Sequence, residues 1–154
     1  MRILLVEDNQ AEARLTREAL EDAGRAHELF LVTDGKAATD FLNRDGDYVD
    51  VLRPHLIFLD LNLPLKDGRQ VLREVKDDPG LASIPVIVIT NSQAPEDIDQ
   101  VYRLKANCYL VKPPGLDDFF AMMKRIVDFW WDTARIPLES EFTGYPEQMK
   151  GCAH

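Results

Sequence analysis

Leu56-Ile57-Phe58-Leu59-Asp60 is a run of four apolar residues that ends in a carboxylate. A short run with no polar side chain on either face is typical of a strand in a parallel sheet, because helices cover both faces of such a sheet. Side chains that follow the carboxyl ends of these strands meet in one crevice. Asp60 is therefore a candidate functional residue because of its position alone.

Four further short apolar runs alternate with amphipathic stretches along the chain. Between the runs, apolar residues recur at spacings of three and four, which predicts helices. Strands that alternate with helices predict an α/β fold, here a doubly wound five-stranded parallel sheet. The four additional strands are predicted over Ile3–Val6, Glu28–Thr33, Val86–Ile89 and Asn107–Val111.

Two of the predicted helices carry further signals. Asn9 and Glu12 have the spacing of a capping box at the start of the first helix, and Gly24 is a stop signal for it. The last helix, predicted over residues 116–131, carries two apolar stripes. The second stripe predicts either a partner surface or a site that the C-terminal tail covers. The first stripe comprises Leu116, Phe119, Phe120, Met123, Val127 and Trp130, and the second comprises Met122, Ile126 and Phe129.

The composition limits the possible classes of function. The 154-residue chain carries 27 Asp and Glu residues against 18 Lys and Arg, a formal net charge of -9, so we expect no binding to nucleic acid or to anionic membranes. No apolar run is long enough to span a bilayer, and the two cysteines lack CxxC spacing. We therefore predict a cytoplasmic protein with one domain over residues 1–131 and a partly extended or disordered extension over residues 132–154.

Polar side chains follow four of the five predicted strands. Carboxylates gathered at one sheet edge repel one another unless a cation lies between them, and Mg²⁺ prefers a few carboxylates together with phosphate oxygens. This pattern predicts a phosphoryl-transfer site, in which a carboxylate is the nucleophile while a lysine and a hydroxyl bind the phosphoryl oxygens. Glu7 and Asp8 follow the first strand, Asp60 the third, Thr90 the fourth and Lys112 the fifth.

Four motifs in these regions resemble those of a known family, the bacterial response-regulator receiver domains. They are LLVEDN at 4–9, LIFLDLNLPLKDG at 56–68, PVIVIT at 85–90 and CYLVKP at 108–113, and the resemblance covers about residues 2–131. It implies the flavodoxin-like (βα)5 receiver fold and a single-domain response regulator of a two-component phosphorelay. It also implies a phosphoacceptor signalling protein rather than an enzyme, one that catalyses only its own phosphoryl transfer and dephosphorylation.

The resemblance assigns a metal site and a phosphoacceptor to this sequence. Asp60 matches the phosphoacceptor, which also contacts the metal, and Asp8 matches the direct Mg²⁺ ligand. Glu7 matches the acidic residue that acts on Mg²⁺ through water. Asn62 matches the position whose backbone carbonyl binds the metal.

The resemblance also assigns a conformational switch. Thr90 matches the switch hydroxyl, Tyr109 the rotating aromatic residue, and Lys112 the lysine that binds the phosphoryl group. The bond between Lys112 and Pro113 resembles the cis peptide of the family, which proline makes physically reasonable. Phosphorylation is then expected to alter the surface formed by the fourth helix, the fifth strand and the fifth helix.

Three longer stretches are similar to the small regulators that work with cyanobacterial and bacterial phytochrome kinases. They are HELFLVTDGKAATDFL at 27–42, NCYLVK at 107–112 and FWWDTARIPL at 129–138. The similarity implies a sensor histidine kinase, such as a phytochrome, or a phosphotransfer protein as the phosphoryl donor. It further implies a homodimer through the fourth helix, fifth strand and fifth helix, with the signal leaving by protein-protein interaction.

Two other functions remain open from the sequence. A Mg²⁺-dependent phosphohydrolase would also use Asp60 as a nucleophile, but such enzymes usually have a second Asp where this chain has Asn62. A pseudo-receiver would keep the fold as an interaction module without phosphorylation, yet none of the acidic, Thr and Lys positions is missing here. Nucleotide binding is disfavoured because Glu7-Asp8-Asn9 occupies the turn where a Rossmann domain needs GxGxxG.

Overall fold

The computed structural model describes residues 1–137. A 3-10 turn, Gly46–Tyr48, precedes the third strand, and a π-helical turn, Phe129–Thr133, follows the last helix. None of the helices in this range has the length and apolar character to span a bilayer. The predicted C-terminal extension lies outside the described residues from 138 onward. The main elements are β1 (Arg2–Val6), α1 (Gln10–Asp22), β2 (Glu28–Val32), α2 (Gly35–Asn43), β3 (Leu56–Leu59), α3 (Gly68–Asp77), β4 (Val86–Thr90), α4 (Pro95–Arg103), β5 (Cys108–Val111) and α5 (Leu116–Asp128).

The five strands form one parallel sheet in the order β2-β1-β3-β4-β5. The chain moves to one side of β1 first and then to the other, so the predicted doubly wound α/β fold is confirmed. The reversal lies between β1 and β3, whose carboxyl ends carry Asp8 and Asp60. The fold thus places its functional crevice beside the acidic residues.

Four strand ends differ by one residue from the sequence prediction. Arg2 is the first residue of β1 and Thr90 the last of β4, while Thr33 and Asn107 lie outside β2 and β5. Asn107 lies directly before β5, and its side-chain oxygen accepts hydrogen bonds from the Val86 N–H at 2.9 Å and from Lys76 Nζ at 3.0 Å. Its amide therefore closes the start of β4, a role that apolar patterning does not detect.

Helices cover both faces of the sheet, and alternate strand residues pack on each face. One face is covered by α2, α3 and α4, and the other is covered by α1 and α5. This two-sided burial is why the strands have no polar face. The buried strand residues of the first face are Leu4, Val6, Val32, Ile57, Leu59, Val86 and Val88, and those of the second are Ile3, Leu5, Leu56, Phe58, Ile87 and Ile89.

Only one of the two hydrogen bonds of the predicted capping box forms at the start of α1. The Asn9 side chain accepts a hydrogen bond from the Glu12 N–H at 3.0 Å, as expected. The return bond is not made by Glu12, because the Asn9 N–H donates instead to Glu7 Oε2 at 3.3 Å. Glu12 is left free to use its carboxylate elsewhere. Gly24 follows the helix with a φ of 76°, the left-handed conformation that ends many helices.

The second apolar stripe of α5 is only partly exposed. Met122 and Ile126 pack against the core that α1 and α5 share, whereas Phe129 is 47% exposed. The chain beyond α5 is held towards the α1–β2 loop, since Trp131 Nε1 donates to the Ala26 carbonyl at 3.3 Å. Arg25 in that loop also forms ion pairs with Asp128 and Asp132.

Candidate functional site

The carboxyl ends of β1 and β3 bring the predicted acidic residues together. Glu7 and Asp8 follow β1, and Asp60 follows β3. Carboxylate oxygens of all three lie within 4.8 Å of one another. The sheet itself positions the cluster, because the Asp60 N–H donates to the Val6 carbonyl at 3.1 Å and the Glu7 N–H donates to the Val32 carbonyl at 3.1 Å.

Burial differs among the three acids. Glu7 is 3% exposed and Asp60 is 8% exposed, whereas Asp8 is exposed. Burial raises the pKa of Glu7 to about 8, and repulsion from Asp60 acts in the same direction despite a hydrogen bond from Lys112. The cluster therefore stores unfavourable charge interactions that a cation would relieve.

The cluster fits a hard divalent cation. Within residues 1–137, Glu7, Asp8 and Asp60 form the group of potential metal-binding side chains, and all three offer carboxylate oxygens rather than His or Cys ligands. Mg²⁺ prefers such oxygen ligands and commonly takes only one or two carboxylates from the protein. Asp8 is exposed and Asp60 lies at the crevice floor, so a cation held here would reach both protein and ligand oxygens.

Lys112 reaches this cluster from the end of β5. Its Nζ donates to Glu7 Oε1 at 2.6 Å and to Glu12 Oε2 at 2.8 Å, and lies 3.7 Å from Asp60 Oδ2. Burial alone would lower the pKa of Lys112, but hydrogen bonds to Glu12 and Glu7 raise it above its ordinary value. The ammonium is thus held as a cation beside Asp60 without a direct hydrogen bond to it.

Thr90 ends β4 and is fully buried. Its Oγ1 accepts a long hydrogen bond from the Ser92 N–H at 3.4 Å. Tyr109 on β5 pairs in register with Val88 on β4. The Tyr109 hydroxyl donates a hydrogen bond to the Ser92 carbonyl at 2.9 Å. The structure therefore joins Thr90 and Tyr109 through the loop that begins at Asn91, although Tyr109 lies outside the carboxylate cluster.

The same loop is tied to α3 and α4 by a network that sequence patterns did not predict. Ser92 Oγ donates to Asp97 Oδ2 at 2.5 Å, and Arg69 Nη2 donates to Asp97 Oδ1 at 2.7 Å. Hydrogen bonds from Ser92 and then from Arg69 hold the pKa of Asp97 below its ordinary value. Because Arg69 belongs to α3, the network connects three elements around the Tyr109 hydroxyl contact.

Asn62 and the peptide bond before Pro113 were also singled out by the sequence. Asn62 is exposed next to Asp60, and its N–H donates to Asp60 Oδ1 at 3.4 Å. The predicted cis bond before Pro113 is wrong for this structure, in which no peptide bond of residues 1–137 is cis. The two isomers of an X–Pro bond differ intrinsically by only about 0.5–1 kcal/mol, so local packing decides between them.

Glu12 borders the site although the sequence pattern assigns it only to a capping box, and Asn91, which the sequence places close enough to Asp60 to influence hydrolysis, is its partner. Asn91 Nδ2 donates to Glu12 Oε1 at 3.2 Å, while the other oxygen of Glu12 binds Lys112. A usable signal was present, because Glu12 lies four residues after Asp8 in the first turn of α1 and Asn91 directly follows Thr90. Both positions border the crevice in this topology.

Comparison with known proteins identifies the family. The response regulator receiver domain model matches residues 3–124. The chain belongs to this family. The match includes every residue assigned above to the crevice, and the observed sheet agrees with the predicted receiver fold.

Individual relatives of this receiver domain narrow the similarity further. It is 48% identical over 135 residues to response regulator Rcp1 of Synechocystis sp., covering 88% of this chain and 92% of that protein. The crystal structure of the Mn²⁺-bound form of Rcp1 has a TM-score of 0.85 at 47% identity, covering 89% of this chain and 99% of that one. The crystal structure of the phosphorylated cyanobacterial phytochrome response regulator RcpA has a TM-score of 0.85 at 47% identity. The match covers 89% of this chain and 98% of that one. The predicted resemblance to phytochrome-associated response regulators is confirmed.

Proposed function

We propose that this receiver domain is a phosphorylation switch in which Asp60 takes a phosphoryl group from a phosphohistidine. The donor is a sensor histidine kinase, such as a phytochrome, or a phosphotransfer protein. One observation carries the proposal: the Asp60 carboxylate lies with Glu7 and Asp8 within 4.8 Å, and Lys112 Nζ stands 3.7 Å from it. A buried nucleophile, a cation site and a fixed ammonium are the parts that phosphoryl transfer requires.

In the proposed reaction, an Asp60 oxygen forms a bond to phosphorus as the phosphorus–nitrogen bond to the donor imidazole breaks, and the imidazole leaves with the electron pair. Lys112 neutralises charge on the phosphoryl oxygens. Asp8, Asp60 and the Asn62 carbonyl would hold Mg²⁺ directly and Glu7 through water. The bound Mg²⁺ supplies charge neutralisation for the transferring group. Hydrolysis of the acyl phosphate by water would return Asp60 to its starting state.

The proposed output begins at Thr90. A phosphoryl group adds roughly one to two negative charges, which draw the Thr90 hydroxyl and Lys112 towards it. Movement of the loop after Thr90 would then change the contact between the Tyr109 hydroxyl and the Ser92 carbonyl, 2.9 Å in this structure. The surface of α4, β5 and α5 would pass the signal on through a homodimer or another protein, in the cytoplasm.

The test is phosphoryl uptake from acetyl phosphate, measured by intact mass with and without Mg²⁺. We expect wild-type protein to gain one phosphoryl group only when Mg²⁺ is present, and Asp60→Asn to gain none. The variant Asp50→Asn is a matched control, since Asp50 is an exposed acid outside the crevice. It should behave as wild type.

The remaining outcomes distinguish the alternative functions. Absence of uptake in the wild type with Mg²⁺ would overturn the switch and favour a pseudo-receiver. Catalytic turnover of general phosphoesters would favour a phosphohydrolase, for which Asn62 lacks the carboxylate of a general acid. Uptake by Asp60→Asn would mean that another residue is the acceptor.

A further inference from the structure

Glu12 is a fourth acid at the edge of the crevice, and it is held at both oxygens. Oε2 accepts from Lys112 Nζ at 2.8 Å, and Oε1 accepts from Asn91 Nδ2 at 3.2 Å. Burial acts to raise the pKa of Glu12, but the hydrogen bonds from Lys112 and Asn91 lower it below its ordinary value. Glu12 is therefore a carboxylate in competition with the acceptor site for the same ammonium.

In this structure the Lys112 ammonium is bound by Glu12 and not by Asp60. Lys112 Nζ is 2.8 Å from Glu12 but 3.7 Å from Asp60, beyond hydrogen-bond range. A lysine has three N–H donors, and two of them are used by Glu7 and Glu12. The Glu12 carboxylate is restricted in its movement towards Asp60, because Asn91 Nδ2 binds its other oxygen.

We propose that Glu12 is a positioning residue that holds Lys112 back from Asp60 and so slows phosphorylation until the contact between Glu12 and Lys112 opens. The proposal rests on the proposed phosphorylation of Asp60. It assigns to Glu12 and Asn91 a restraint on the reaction, separate from the metal and phosphoacceptor residues.

The contact between Glu12 and Lys112 borders open space. A cavity of about 260 Å³ beside the contact is lined by Glu12, Asn91, Lys112, Pro113 and Leu116, among others. The two side chains are therefore not enclosed by packed core on this side, and the contact can open without repacking the core.

The helical hydrogen bonds of residue 12 do not depend on its side chain. The hydrogen bonds of residue 12 within α1 use its backbone, as the N–H donates to Asn9 and the carbonyl accepts from Thr16 Oγ1. Replacements at this position keep both bonds. A change in reaction rate is therefore separable from a loss of structure.

The experiment measures the rate of Mg²⁺-dependent phosphoryl uptake from acetyl phosphate in wild type and Glu12→Gln. Uptake forms the bond from an Asp60 oxygen to phosphorus and breaks the phosphorus–oxygen bond to acetate, which leaves with the electron pair. We expect Glu12→Gln to react faster by roughly three- to tenfold, the scale of one partly exposed ion pair. Glu18→Gln is the matched control, because Glu18 lies on the same helix and pairs only with Arg14 among the contacts described. It should react at the wild-type rate.

A double-mutant cycle separates the restraint from a general change in charge. Asn91→Ala removes the anchor of Glu12, so we expect it to accelerate uptake in the wild type and to have no further effect in Glu12→Gln. A purely structural role of Glu12 would lower the thermal unfolding midpoint without accelerating uptake. Equal acceleration by Asn91→Ala in both backgrounds would overturn the proposed restraint.

The outcomes keep this inference distinct from the proposed function. Uptake by the wild type with an equal or slower rate in Glu12→Gln would overturn the role of Glu12 and leave the switch intact. No uptake by either protein would overturn the switch and this inference with it. Faster uptake in Glu12→Gln, with Glu18→Gln unchanged, supports both.

Discussion

Individual residues of the crevice are placed for chemistry at some cost to stability. Glu7 and Asp60 are buried next to each other and to the carboxylate of Asp8, and Lys112 offsets only part of the repulsion. The raised pKa of Glu7 reflects this environment. Such conflict is typical of functional sites, where removing a charged group often stabilises the fold.

Asp60→Asn is expected to raise the free energy of unfolding by about 1 kcal/mol in buffer that contains a metal chelator, because it removes a buried carboxylate that lies against Glu7 and Asp8. Denaturant unfolding at neutral pH measures the change. Added Mg²⁺ should reduce the difference, since the wild type gains stability from the bound ion. Asp50→Asn is the control, and a less stable Asp60→Asn protein without metal would contradict the prediction.

Asp97 gives a pH dependence whose sign follows from its lowered pKa. The folded-state pKa lies below the ordinary value of 3.8, so the Asp97 interactions stabilise the fold above that value and are lost as pH falls through the folded-state pKa. We expect Asp97→Asn to lower the thermal unfolding midpoint near neutral pH, with a difference from wild type that shrinks in acid. Thermal melts across this pH range measure it. The control Asp99→Asn removes an exposed ion pair of the same helix, and a constant difference for Asp97→Asn at all pH values would refute the argument.

At the scale of the secondary-structure elements, the loop between β3 and α3 sets the position of Asp60. Gly68 begins α3, and its N–H donates to the Leu61 carbonyl at 2.9 Å. A Cβ at Gly68 would lie 2.2 Å from the Asp60 carbonyl oxygen and 2.7 Å from Leu61 Cα. The Asp67-Gly68 pair thus allows the helix to start directly against the strand end that carries the acceptor.

Gly68→Ala is expected to destabilise the protein by about 1–3 kcal/mol, because rigid backbone has to move to admit the methyl group. The same shift moves Asp60, so the rate of phosphoryl uptake should fall as well. Denaturant unfolding and intact mass measure the two effects. Gly115→Ala is the matched control, since a Cβ there would meet only the end of the Asp118 side chain, at 3.4 Å. Wild-type stability for Gly68→Ala would contradict the packing argument.

At the scale of the whole molecule, the two faces of the sheet are covered and the exposed apolar groups lie elsewhere. Phe129 is 47% exposed after α5, with its ring edge-on to Trp130 at a centroid distance of 5.4 Å. Aromatic side chains are typical of the residues that contribute most to protein interfaces. We therefore expect Phe129 to contribute to the proposed homodimer.

Phe129→Ser is expected to weaken the homodimer by about tenfold or more in dissociation constant, which corresponds to about 1.4 kcal/mol. Sedimentation equilibrium measures the dissociation constant. Val49→Ser is the control, because Val49 is 64% exposed next to the 3-10 turn and outside α4, β5 and α5. An unchanged dissociation constant for Phe129→Ser would exclude this residue from the interface, and monomeric wild-type protein would overturn the dimer.

The apolar pattern of the sequence is enough to predict the sheet. Strands buried on both faces have to be apolar, so residues 3–6, 56–59 and 86–89 form short runs without polar side chains. Parallel topology then brings their carboxyl ends to one edge, which makes Asp60 and its acidic neighbours identifiable from the sequence. The apolar pattern defines the strand ends less sharply, because Arg2 belongs to β1 and Thr33 lies outside β2 with no change in the apolar run.

The pairing of the polar side chains depends on contacts between elements that are distant in the sequence. Lys112 contacts Glu12 across 100 residues of chain, and Arg69 contacts Asp97 across 28. A carboxylate in a helix's first turn has the same local pattern whether it caps the helix or reaches another strand, so Glu12 looked like half of a capping box. The difference arises because hydrogen-bond partners are set by distances of a few ångströms between elements, whereas the apolar period of a sequence records only which face of an element is buried.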